Sequence, residues 1–235
     1  MSKIKTCAEL KAISRDKLLG QYGRLISAML IVELITTFLD LIATSVTDSL
    51  AYGNIIYNVI TIIIQLFLGI FASGSAYLYL NFISDRPYKP SDVFQGFKIH
   101  TDKAILLQGL YVITSLLCFL PGTVMLYLIR DSYTATTLMI TMVLILIGTA
   151  IYAIVLLNFF PCIYMIHDFP DLSIKKILKF GMRKMKGNRL KFLYMGFSFL
   201  PLLLVGILSF GIGLLWVMPY MNTAKAHLYL EIMEQ

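Results

Sequence analysis

A carboxyl group, an amide and a phenol stand inside long apolar stretches of this chain: Glu33, Gln65 and Tyr220. An ionisable group in hydrocarbon is costly and needs a chemical or a structural reason. At ~1.5 Å per residue, Glu33 lies about 13 Å along its stretch from Arg24, Gln65 about 15 Å from Ile55, and Tyr220 about 12–13 Å from Gly211. Three polar groups at matching depth would make a proton or ligand site near mid-membrane. The competing reading is a protonated Glu33 bonded to Gln65 or a tyrosine, joining two helices. That structural reading is favoured, because no Lys or Arg lies at that depth to pair with the carboxylate.

The second chemically distinctive set is cationic: Lys175, Lys176, Lys179, Arg183, Lys184, Lys186 and Arg189. Between them Ile174, Ile177, Leu178, Gly181, Met182 and Met185 recur at helical spacing. The pattern predicts an amphipathic helix in the membrane interface, apolar side down, its cations turned to anionic head groups. Asp171 or Ser173, after Pro170, can cap its start. Other chemistry is not indicated. Cys7, Cys118 and Cys162 have no pairing or metal spacing, and His100, His167 and His227 are scattered. No zinc motif, nucleophile elbow, phosphate loop or dinucleotide fingerprint occurs. The expectation is a protein that is not an enzyme and holds no metal and no cofactor.

These residues must be positioned by membrane helices. Of 235 residues, 58% are hydrophobic and only 14% charged, and the mean hydropathy is +0.80. Soluble domains carry about a quarter charged residues, so composition alone places this chain in the membrane class. Six stretches reach the ~20 apolar residues that a spanning helix needs: 24–43, 55–82, 104–128, 138–166, 190–208 and 212–230. The last two, joined by Ser209-Phe210-Gly211, must turn back as a hairpin. The first is expected to be retained as an anchor, since the polar, lysine-rich segment before it does not read as a cleavable leader.

Cations alternate sharply between the connecting segments. All but Arg130 of the 20 Lys and Arg lie in the N-terminal segment through Arg24, in 83–103, in 167–191, or at Lys225. Cytoplasmic loops retain Lys and Arg, so both termini and both basic loops are expected inside. The outer loops, 44–54 and 129–137, are short and carry Asp48 and Asp131. The net charge of +7 therefore reads as an affinity for anionic lipid and not for nucleic acid.

A threefold pattern recurs. Ile83-Ser84-Asp85-Arg86-Pro87 and Ile166-His167-Asp168-Phe169-Pro170 both read I-x-D-x-P, where proline ends a helix. Ala76-Tyr77-Leu78-Tyr79-Leu80 is echoed by Ala226-His227-Leu228-Tyr229-Leu230. Weaker amphipathic segments precede the first two hairpins, through Ala8, Ala12, Ile13 and Leu19, and through Val93, Phe94 and Phe97. The inferred fold is all-α: six transmembrane helices as three hairpins, each preceded by a basic interfacial helix, in units of about 1–83, 84–166 and 167–235. Chance similarity among apolar sequences is the competing explanation. Within the stretches, Asn58, Gln108 and Asn158 read as interhelical hydrogen-bonding groups. Gly69, Ala72, Ser73, Gly74, Ser75 and Ala76 read as a small-residue patch permitting close approach.

The most distinctive string runs from Gly211 through Gly213, Trp216 and Pro219 to Tyr220. The glycines allow a tight turn, Trp216 suits the outer interface, and Pro219 should kink the helix. With Met185-Lys186-Gly187-Asn188-Arg189 and the earlier Gly20-Gln21, it resembles a bacterial six-span membrane family catalogued as domain of unknown function 975. The layout is more distantly similar to the membrane domains of some glycerophosphodiester phosphodiesterases, without their catalytic domain. The resemblance implies a plasma-membrane location and this fold, and no activity. Two functional expectations follow. One is a membrane protein that binds lipid or a membrane partner in envelope homeostasis, export or membrane-peptide resistance. The other is a small transporter working around Glu33.

Overall fold

Helix is the only regular structure among the described residues, 5–47, 53–130 and 134–234 of the computed structural model, and makes up 85% of it. Lys3, Asp48 and Asp131 lie outside those residues. The elements are α1 (Cys7–Leu18), α2 (Tyr22–Thr47), α3 (Gly53–Ile83), a 3-10 helix (Pro90–Phe97), α4 (Thr101–Leu128), α5 (Ala135–Phe159), α6 (Cys162–Asp168), α7 (Ile174–Met185), α8 (Arg189–Leu208) and α9 (Leu214–Met233).

Five helical stretches are long and apolar enough to cross a membrane, Tyr22–Thr47, Ile56–Ile83, Thr101–Leu128, Ala135–Asp168 and Arg189–Leu208, the fourth taking α5 and α6 together. Their flanks bear Leu34, Phe38, Leu117, Leu146, Leu204 and Leu208, each more than 50% exposed. Apolar surface on that scale is what a bilayer covers and a soluble monomer avoids. The stretch 212–230 forms α9, which stands apart from these five. It carries Asn222, Lys225 and His227, and its second half is mostly buried.

The stretch 138–166, expected as one helix, is interrupted at Phe160-Pro161. Proline has no N–H to continue the helical ladder. Beside the break, the Phe159 carbonyl accepts a hydrogen bond from the Tyr111 hydroxyl at 3.1 Å. The turn frees α6 to pack on α3, α4 and α7.

Burial concentrates where the basic segments meet the ends of α3, α6 and α9. Leu18, Leu25, Leu78, Tyr79, Phe82, Tyr164, Met165, Ile166, Ile177 and Tyr229 form the main core. A second core joins Cys7, Leu10, Met185, Met195, Phe199 and Leu228. In α1 the buried face is Cys7, Leu10, Ser14 and Leu18. Ala8, Ala12, Ile13 and Leu19, the apolar set read from the sequence, stay exposed. Ser14 interrupts the apolar pattern of the packed face; its hydroxyl is satisfied by the Leu10 carbonyl at 2.7 Å. Thr6 and Glu9 close a capping box at the start of α1.

The 3-10 helix sits directly on the small-residue patch of α3. A Cβ on Gly74 would overlap the Val93 carbonyl, and one on Gly96 would overlap the Ile70 carbonyl. Phe71 meets Phe94 and Phe97 edge-on, at 5.7 and 5.0 Å between centroids. Each short helix is followed by a residue at positive φ before the next long helix: Gly20 (76°), His100 (53°) and Gly187 (101°). The left-handed conformation reverses the chain there, and glycine adopts it without strain.

Candidate functional site

The basic face of α7 is the most strongly built surface feature. Ser173 occupies the N-cap position in an extended conformation, with no side-chain cap bond. Ile177, Gly181 and Met185 are buried, in a helix packed on α5 and α6. A Cβ on Gly181 would meet the Cys162 sulfur at 2.5 Å. The apolar side of α7 is therefore covered by protein, which fixes the helix as a platform. On its other side Lys175, Lys176, Lys179, Arg183 and Lys186 are exposed, as is Arg189 at the start of α8. Lys184 differs from the rest: it donates to the Met233 carbonyl at 3.1 Å and ties α7 to the end of α9. Such an array of exposed cations can take phosphate or carboxylate groups by charge and hydrogen bonding.

A second polar surface surrounds Arg24. An open cavity of about 900 Å³ is lined by Arg24, Arg86 and Lys89 together with Asp85 and Asp92. The Tyr88 hydroxyl donates to Gln21 at 2.8 Å, and Arg24 lies 5.7 Å from the Tyr88 ring centre. Burial raises the Tyr88 phenol above its ordinary range, and Arg24 draws it part of the way back. Gln21 thus fastens the α1–α2 junction to the 84–90 segment.

The three polar groups placed at matching depth are not joined by hydrogen bonds. Glu33 is exposed on the flank of α2, with no hydrogen-bond or ion-pair partner among the described residues. Gln65 is half-buried and likewise makes no side-chain hydrogen bond there. Tyr220 donates instead to the Lys11 carbonyl at 3.2 Å and packs on Phe199, 4.9 Å between centroids. Depth along a helix is legible from residue count. Azimuth is not, because it depends on which neighbours the helix acquires.

In the hairpin motif, Gly211 takes φ 84° and a Cβ on Gly213 would press on Gly206 at 2.9 Å. Trp216 is half exposed. The helix continues through Pro219, whose carbonyl accepts from the Thr223 hydroxyl at 2.8 Å.

Several long-range interactions do not follow from the sequence motifs that contain their residues. The aspartates of the two I-x-D-x-P junctions each clamp a distant segment. Lys17 donates to Asp85 at 2.5 Å, and the Tyr229 hydroxyl donates to Asp168 at 2.6 Å. His167 Nε2 lies 3.0 Å from the Ser73 hydroxyl and 2.8 Å from its carbonyl. The recurrence of the aspartate was the available signal. The echoed strings also match in burial: Ala76, Leu78 and Tyr79 are buried, as are Ala226, Leu228 and Tyr229. Glu231, only 7% exposed, accepts from the Lys5 backbone N–H at 2.8 Å and faces Lys191 at 3.8 Å. At 3.8 Å this is a charge contact and not a hydrogen bond, consistent with an ammonium that has no hydrogen-bond partner.

Lys191→Met should destabilise the protein by roughly 2 kcal/mol. That is below the usual cost of orphaning a buried charge, because Glu231 keeps the Lys5 N–H. Adding Glu231→Leu should recover most of the loss. Thermal melts in detergent read both, and a double variant as unstable as the sum of the two single variants would show that the charges are not coupled.

A family model described as "Protein of unknown function (DUF975)" matches residues 1–235. No curated protein and no solved structure matches the chain.

Proposed function

The chain belongs to the DUF975 family, whose description assigns no activity, and from that premise we propose that it is a non-enzymatic membrane protein that binds anionic lipid through the outward cations of α7. One observation carries the reading: Ile177, Gly181 and Met185 are buried while Lys175, Lys176, Lys179, Arg183 and Lys186 are exposed. A helix anchored by its apolar side presents its charges at no further ordering cost. In this reading α9 is the sixth crossing, the helices pair as three hairpins, and both termini and the basic segments lie in the cytoplasm. The setting is a bacterial plasma membrane, and the role is envelope homeostasis, export or membrane-peptide resistance, alone or with a membrane partner. The transporter reading requires Glu33 to face a hydrated path. Two cavities next to α2 lie around Arg24, and Glu33 lines neither of them.

The test titrates the detergent-solubilised chain with fluorescent phosphatidylglycerol or phosphatidylcholine. Each basic residue near an anionic surface contributes about 1 kcal/mol, less where solvent screens it. Lys175, Lys176, Lys179 and Arg183 all changed to Gln should therefore weaken phosphatidylglycerol binding at least about tenfold. Raising the salt should weaken the unaltered chain similarly. Equal affinity for the two lipids would sink the proposal.

A further inference from the structure

A cavity of about 440 Å³ lies between α8 and the layer of α3, α4, α5 and α6. Its walls include Ala72, Gln108, Tyr111, Ala153, Leu157 and Phe192. Phe160 and Phe192 touch at one side, 4.2 Å between centroids. Ala72 and Ala153 are small and exposed, so the space between the larger side chains is open there. Beyond the cavity, α8 is uncovered on the same side. Gly196, one turn beyond Phe192 and Leu193, has no atom within 4 Å of where a Cβ would sit. In the other direction, Arg189 stands one turn before Phe192 on the same side of α8 and is exposed.

The dimensions select the occupant. A helix about 11 Å across fills roughly 500 Å³ per turn, so the cavity lacks room for one turn of a partner helix. On α8 the walls of the cavity are Phe192 and Leu193; a track continued along the same exposed side of the helix, from Arg189 to Leu200, would run about 16 Å. Half of a ~30 Å hydrocarbon core is nearly the same length, which is the reach of an acyl chain in one leaflet. One end is cationic and the rest is apolar, which matches a phospholipid carrying net negative charge.

We propose that this groove is a site for one anionic phospholipid, with an acyl chain along Ala72, Ala153 and Gly196 and the phosphate at Arg189. The site is distinct from the α7 surface but rests on the same reading, that the chain is a lipid-binding membrane protein. It differs in kind. The α7 array attracts head groups by charge and releases them in salt, whereas the groove holds a tail that salt does not release.

The experiment counts retained lipid by native mass spectrometry. The chain is purified in detergent, exposed to equal phosphatidylglycerol and phosphatidylcholine, and washed at about 1 M salt, where charge interactions reach only about 3 Å. One phosphatidylglycerol should survive per chain. Ala153→Trp and, separately, Ala72→Trp fill the groove from an exposed position, and each should cut retained lipid about tenfold with an unchanged melting temperature. Arg189→Gln should keep a lipid bound but bring the two lipids to parity. Retention at the unaltered level in both melting-neutral Trp variants overturns the site, as does a washed chain with no lipid or with a polypeptide in its place. The α7 variant separates the readings. If it loses salt-sensitive binding yet keeps the washed lipid, both sites stand. If the groove is empty while α7 still binds phosphatidylglycerol, this inference alone falls.

Discussion

Tyr229→Ala should leave little folded protein, whereas Tyr229→Phe should lower stability only modestly. Tyr229 is 0% exposed and stacks on Tyr164 at 5.0 Å between centroids. Its ring sits in the core shared by α3, α6 and α9. Truncating a buried aromatic to alanine costs about 3–5 kcal/mol through lost transfer energy and the cavity left behind. A whole domain is stable by only about 5–15 kcal/mol. At a few degrees per kcal/mol, the melting temperature should fall by roughly 10 °C or more. Phenylalanine keeps the ring and loses only the bond to Asp168, 2.6 Å in length. Asp168 is exposed, so water can replace that donor and the loss should be about 1 kcal/mol. Size-exclusion profiles and melts in detergent compare the two. An alanine variant that melts within a degree or two of the phenylalanine one would mean that this core does not govern stability.

The second large effect belongs to the seat of the 3-10 helix. Gly96→Ala drives a methyl group into the Ile70 carbonyl and within 2.9 Å of the Gly74 nitrogen. Gly74→Ala drives one into the Val93 carbonyl. Both obstacles are backbone, so no side chain can rotate away, and the 3-10 helix must lift from α3. Overpacking of a core costs about 1–3 kcal/mol and sometimes more. A rigid backbone on both sides puts these variants at about 3 kcal/mol or above. Gly196→Ala is the internal control. Its methyl meets open space, and alanine in a helix interior is favoured by about 0.5–1 kcal/mol over glycine. If the Gly74 and Gly96 variants melt where the Gly196 variant does, the close approach has no energetic weight.

The small residues of α3 were legible as a patch for close approach; the element that uses them was not. Gly69 meets Gln108 of the long helix α4, whereas Gly74 is met by Val93, and Ile70 by Gly96, from the short 3-10 helix. The same division runs through the candidate site. The cations of α7 and the apolar spacing beneath them follow from periodicity, which is local. That its apolar side would be taken by α6 and α5 rather than by lipid depends on the turn at Pro161, which aims α6 across it. Glu33 shows the converse. Residue count sets its position along α2 but not its direction: it faces outward on α2, while Tyr220 bonds to α1.

By itself the sequence determined the helical class, the position of most of the long apolar helices, their membrane-like character, and the segments that carry positive charge. Each of those follows from short-range terms: hydrophobic transfer summed over a window, helical period, and the backbone limits of Gly and Pro. Tertiary structure alone decided that Asp85 and Asp168 act as clamps, that Lys184 is drawn off the basic face, and that a groove opens beside α8. Those outcomes depend on the relative rotation and tilt of helices distant in sequence. They come from many small packing contacts that only the assembled fold brings together.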